Sequence, residues 1–92
     1  MPYEWEEWGL RSLLGIEPYE VRQVLEGKSR WPRPGIDHST GLRVVTIWGR
    51  TLAGRTLIVG TYHVDGFNWK IISARELTAA ELVEFVGWEE TR

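Results

Sequence analysis

From residue 42 to residue 74 the chain reads as three consecutive strand-like runs, and no other feature limits its fold as strongly. The runs cover residues 42–49, 56–64 and 67–74, each rich in Val, Ile, Thr and aromatic side chains. Ala53-Gly54 lies in the first joint, and Asp65-Gly66 in the second predicts a tight two-residue hairpin turn of the I′ type. With that turn, Thr61 falls opposite Lys70 and His63 opposite Asn68, placing all four on one face; Tyr62, Val64, Phe67, Trp69 and Ile71 make the apolar face behind them.

Helices flank this block. Residues 4–14 carry Leu10, Leu13 and Leu14 at helical spacing before Gly15, although Gly9 weakens the pattern and an extended start around Trp5 is the alternative. In residues 18–26, Pro18 suits a first-turn position, Val21, Val24 and Leu25 form one apolar face, and Gly27 ends the helix. Residues 28–41, with Pro32, Pro34, Gly35 and Gly41, read as a loop. After the strands, Thr78 and Glu81 form a capping box, Leu77 and Leu82 suit a hydrophobic staple, and Ala79, Leu82, Val83 and Val86 are the predicted core face of a last helix. The expectation is a single domain over residues 1–92. It is α+β, with a small antiparallel sheet of three to four strands, two N-terminal helices and one C-terminal helix.

With 42% hydrophobic residues and 26% charged, the chain has the composition of a globular protein, and its 6 Trp are core material first. The absence of Cys excludes disulfides, thiolate nucleophiles and Cys-based zinc sites. No run approaches the roughly 20 apolar residues of a membrane span, and the acidic start is unlike a signal peptide, so a cytoplasmic protein is expected.

The net charge of −2 conceals a division. Residues 28–75 hold 8 basic side chains and 2 acidic ones, or +6, which leaves −2 − 6 = −8 for the flanks. A basic middle between acidic ends suggests a polyanion-binding surface on the sheet, or else solvated faces of differing sign.

Several stretches resemble the BrnT toxins, a branch of the RelE-like ribonucleases. They are the run Gly54-Arg55-Thr56-Leu57-Ile58-Val59, the stretch Lys70-Ile71-Ile72-Ser73-Ala74-Arg75, the pair Thr78 and Glu81, Trp48-Gly49-Arg50, and Gly15-Ile16 with the helix after it. The resemblance covers nearly the whole chain in the same order of elements. It implies a RelE-like fold and a toxin of a type II toxin–antitoxin system that cuts mRNA without a metal or other cofactor. It also implies a BrnA-like antitoxin as partner, with promoter DNA bound only by the complex. The chain departs from the family at three places: Leu13-Leu14 replaces a Lys-His pair, Lys70 an arginine, and Phe85 a tyrosine. These departures support a second expectation, a RelE-like module that binds a partner protein and no longer cuts RNA.

Metal-free RNA cleavage uses the 2′-OH as nucleophile, so the protein must hold the phosphate, neutralise its growing charge and move protons. Arg75 is the candidate phosphate clamp, with an ion pair to Glu76 or Glu81 as its structural alternative. Lys70 is a candidate point charge and His63 the candidate proton carrier; a solvated strand face and a hairpin-tip surface are their alternatives. His38, beside Asp37, is weaker because nothing local fixes it. Arg50 and Arg55 flank a turn and, with Arg43, are candidate RNA-backbone contacts. Trp31, in Arg30-Trp31-Pro32-Arg33, is a candidate base-stacking residue or a buried one. No phosphate-binding glycine loop, nucleophile elbow or pair of His at metal-ligand spacing is present.

Overall fold

The longest of the β-rich runs becomes the centre of the molecule. In the computed structural model, which describes residues 3–11, 13–36, 38, 41 and 43–91, β4 (Thr56–Asp65) lies between β3 (Arg43–Arg50) and β5 (Asn68–Glu76), antiparallel to both. Leu42, assigned to the first run, lies outside the described residues, as does Asp37. The edges are β2 (Trp31–Ile36), antiparallel to β3, and β1 (Tyr3–Trp5), parallel to β5. The result is an α+β chain whose sheet has the order β1-β5-β4-β3-β2, with helices α1 (Glu7–Arg11), α2 (Pro18–Glu26) and α3 (Ala79–Thr91).

The sheet has five strands, more than the three to four that the pattern predicts, and is not wholly antiparallel. Both extra strands are edges. β2 occupies the stretch that reads as a loop, because Pro32 and Pro34 are tolerated on an edge strand where no outer neighbour needs their missing N–H groups. β1, of 3 residues, is too short to show a period, and its partner lies at the far end of the chain. It carries Trp5 in the extended start that was the alternative to a helix over residues 4–14, leaving α1 only 5 residues.

The hairpin turn sits one residue later than Asp65-Gly66. Asp65 pairs with Asn68, so the two loop residues are Gly66 and Phe67. Only Gly66 has positive φ, +46°, whereas a I′ turn needs positive φ at both central positions, which Phe67 resists. The shift, with irregular pairing at His63/Asp65, puts His63 opposite Trp69 and Tyr62 opposite Lys70. Because side chains alternate along a strand, Lys70 moves to the face opposite His63, and the predicted four-residue polar face is not formed.

α2 and α3 pack on opposite faces of the sheet, while α1 lies against β5. On one side Ile47, Leu57, Val59 and Ile71 meet Ile16 and the Val21, Val24 and Leu25 stripe of α2. On the other, Trp48 and Ile58 meet Phe85 of α3, with Trp31, Leu77 and Trp88 around them. The capping box of α3 is formed: the Thr78 N–H donates to Glu81 Oε1 at 2.8 Å, and the Glu81 N–H to Thr78 Oγ1 at 3.2 Å. The buried residue of α3 is Phe85, not the Leu82 and Val83 of the predicted core face, which are exposed. Aromatic bulk and the three carboxylates described below turn the helix.

Gly9 has a packing reason to outweigh its helix cost. A Cβ there would stand 2.9 Å from the Ile72 carbonyl oxygen and 3.0 Å from that of Ile71. Backbone cannot yield as a side-chain tip does, so Gly9→Ala is expected to destabilise the fold by about 1 to 2 kcal/mol despite its better helix propensity. Urea unfolding checks this; a stabilised variant would contradict it.

Candidate functional site

Four cations predicted to hold RNA have carboxylate partners. Arg75 makes a fork to Glu81, Nη1 to Oε1 at 2.7 Å and Nη2 to Oε2 at 2.8 Å. Arg50 binds Glu89 from Nε and Nη2, each at 2.9 Å, and Lys70 Nζ lies 3.3 Å from Glu6 Oε1. Arg55 reaches Glu20 Oε1 on α2 at 3.0 Å and also binds Glu76 at the end of β5. Arg33, which sequence reasoning did not single out, pairs with Glu84 at 2.8 Å. All six carboxylates come from the acidic flanks and all five cations from the basic middle. The charge division of the sequence is thereby folded onto itself.

These contacts move ionisation as expected. The Arg75 guanidinium holds the Glu81 carboxyl at about 2, while Glu89, Glu76 and Glu81 raise Arg50, Arg55 and Arg75 respectively. A hydrogen bond from Tyr62 and then Lys70 lower Glu6. A depressed carboxyl stabilises the fold above its unfolded pKa of roughly 4.5 and loses that contribution as pH falls towards its folded one. The attachment of α3 is therefore expected to weaken between about pH 4.5 and pH 2, the window set by Glu81. Tryptophan emission tracks it, since Trp88 of α3 stacks on Trp31; a signal flat to pH 2 would contradict it.

The remaining predicted residues divide between the two faces. Trp31 packs edge-on to Trp48 and flat against Trp88, with the Arg33 guanidinium 4.5 Å from its ring centre. His63 and Arg43 line one open trough of about 670 Å³ on the α2 side of the sheet, beyond the end of α2. Ile36 is the cross-strand neighbour of Arg43, and Trp69 that of His63. Pro34 and Val45 complete the apolar wall, and a second hollow of about 260 Å³ shares Val45 and Trp69 with it.

His63 lies 5.0 Å from Trp69, ring centre to ring centre, and its Nε2 is 2.8 Å from the Gly66 carbonyl oxygen. A carbonyl only accepts, so Nε2 carries the proton of that bond. Arg43 is exposed and makes no ion pair among the described residues. Trp69, in the wall of the trough, was missed because a regular hairpin puts it on the face opposite His63, whereas the irregular pairing between His63 and Asp65 brings the two onto one face.

Arg75 and His63 are not brought together. Arg75 pairs with Ile58, five β4 positions from His63 and on the other face, a separation of roughly 17 Å along the strand. Among the described residues no group of three or more His, Cys, Asp or Glu is placed to hold a metal, and no helix is long and apolar enough to cross a membrane. No family model matches the chain, and no curated protein matches it.

Proposed function

We propose that this chain is a non-catalytic, RelE-like relative of the BrnT toxins that works by binding a partner protein in the trough lined by Trp69. The observation that carries this reading is a contrast between two surfaces. The cations suited to a phosphate are already neutralised within the chain, whereas the trough has an apolar wall and an exposed Arg43 that makes no ion pair among the described residues. Ile36 is 58% exposed and Phe67 85%, and with Val64 they extend the apolar surface at this end of the sheet. Open apolar surface rimmed by polar groups marks an interaction site. Its complement is an apolar segment bearing a carboxylate for Arg43, and the resemblance supplies the class of partner, an antitoxin encoded beside the toxin.

The ribonuclease expectation has less support. Cleavage needs a phosphate clamp and a proton carrier around one phosphate. The residues cast for those parts, Arg75 and His63, face opposite sides of the sheet.

Calorimetric titration with the protein encoded by the adjacent reading frame tests the proposal. Arg43→Glu and Ile36→Asp are each expected to weaken the complex at least tenfold, with unchanged circular dichroism, because the first creates charge repulsion and the second buries an unpaired carboxylate. Equal affinity in the wild type and both variants would overturn it.

A further inference from the structure

The sheet-facing stripe of α3 consists of Glu81, Glu84, Phe85, Trp88 and Glu89, spaced i, i+3, i+4, i+7, i+8. Its three carboxylates meet arginines from three strands: Arg75 of β5, Arg33 of β2 and Arg50 of β3. Beneath them, Trp31, Trp48 and Ile58 lie in one cross-strand row that ends at Arg75. The Arg33 guanidinium lies 4.5 Å from the ring centre of Trp31 and 4.8 Å from that of Trp48. Aromatic faces interleaved with guanidinium groups on an open strand surface are what single-stranded nucleic acids bind: bases stack on the rings and phosphates meet the cations.

The helix imitates such a ligand part by part. Trp88 stacks on Trp31 with 5.3 Å between ring centres and 3° between planes, as a base would. At the helical rise, Glu81, Glu84 and Glu89 follow one another at about 4.5 and 7.5 Å, one to two steps of a stacked strand at about 3.4 Å each. We propose that α3 is a built-in mimic of a single-stranded nucleic acid, covering a binding platform made by Trp31, Trp48, Arg33, Arg50 and Arg75 that becomes available when the helix lifts. The cover is of a kind that releases: Phe85 is the buried residue of α3, and Arg75, Arg33 and Arg50 are 55%, 37% and 36% exposed in their ion pairs, open to screening by salt. The platform lies on the face opposite the trough and stands independently of the partner-protein reading.

Fluorescence anisotropy of a labelled oligouridylate tests this on the full chain at low salt. Glu81→Gln, Glu84→Gln and Glu89→Gln together keep the shape of the stripe and the cap acceptor while removing its charge. They are expected to tighten binding at least tenfold over the wild type, with a log–log salt slope of about −2 from the counterions released by three neutralised phosphates. Adding Arg33→Ala, Arg50→Ala and Arg75→Ala should return affinity to the wild-type level. A folded triple glutamine variant that binds no better, or whose binding ignores the three arginines, overturns the proposal. Should that variant not fold, Glu84→Gln alone, which touches only the Arg33 pair, is expected to bind two- to threefold tighter; no change would overturn the proposal equally.

Discussion

Phe85→Ala is expected to lower the unfolding free energy by about 3 to 5 kcal/mol, a large fraction of the 5 to 15 kcal/mol available to a domain of this size. Phe85 is fully buried, packs with Trp48, Ile58 and Trp88, and has the Arg50 guanidinium 5.6 Å from its ring centre. Truncation removes the one buried anchor of α3 and leaves a cavity that the flanking indoles cannot fill without leaving their stacked arrangement. The contrasting variant is Val83→Ala: Val83 is 74% exposed, so its loss should cost no more than about 0.5 kcal/mol. The sequence pattern ranks these two the other way, with Val83 in the core face. Urea unfolding of both, followed by circular dichroism, decides between the patterns.

Arg55→Ala is expected to lower the urea midpoint clearly below that of the wild type, an unusual loss for a partly exposed arginine. One guanidinium joins Glu20 of α2 to Glu76 of β5, while the Arg55 backbone N–H, which the substitution keeps, donates to the Thr51 hydroxyl at 3.1 Å in the β3–β4 turn. Removing the cation leaves two carboxylates facing each other, Glu20 with its side chain only 13% exposed. Arg55→Lys should recover only part of the loss, since an ammonium is a point charge and not a fork that serves two acids at once. Neither change should alter affinity for the proposed partner protein. A stable Arg55→Ala variant with impaired binding would mean that this residue belongs to a binding surface after all.

How much was legible in the sequence follows from how local each signal is. The helix over residues 18–26 and the Thr78–Glu81 capping box depend on neighbours within one turn, and both are present with the predicted bounds and partners. The Asp65-Gly66 signal located the hairpin but not its register, because Gly66 can supply its positive φ at either central position of a two-residue turn. The irregular pairing between His63 and Asp65 then sets Lys70 on the face opposite His63, and no local signal marks that irregularity. β1 and β2 carry no local period; their pairing is decided by what the finished sheet leaves open at its edges.

The candidate site shows the same division. The +6 middle and −8 flanks were countable, but their meaning depends on pairs such as Arg33–Glu84, 51 positions apart. No window along the sequence contains both partners. Arg43 and His63 were identified individually, and only the fold joins them to Trp69 in one trough.

The central claim is that the open trough, and not the paired arginines, is the working surface of the intact chain. Amide chemical-shift mapping, with the adjacent-frame protein added to the ¹⁵N-labelled chain, examines it most directly. The expected result is a set of perturbed amides grouped at Gly35, Ile36, Arg43, Val45, His63 and Trp69, lost in Arg43→Glu. Perturbations centred instead on Arg50, Arg55 and Arg75, with the trough silent, would contradict it.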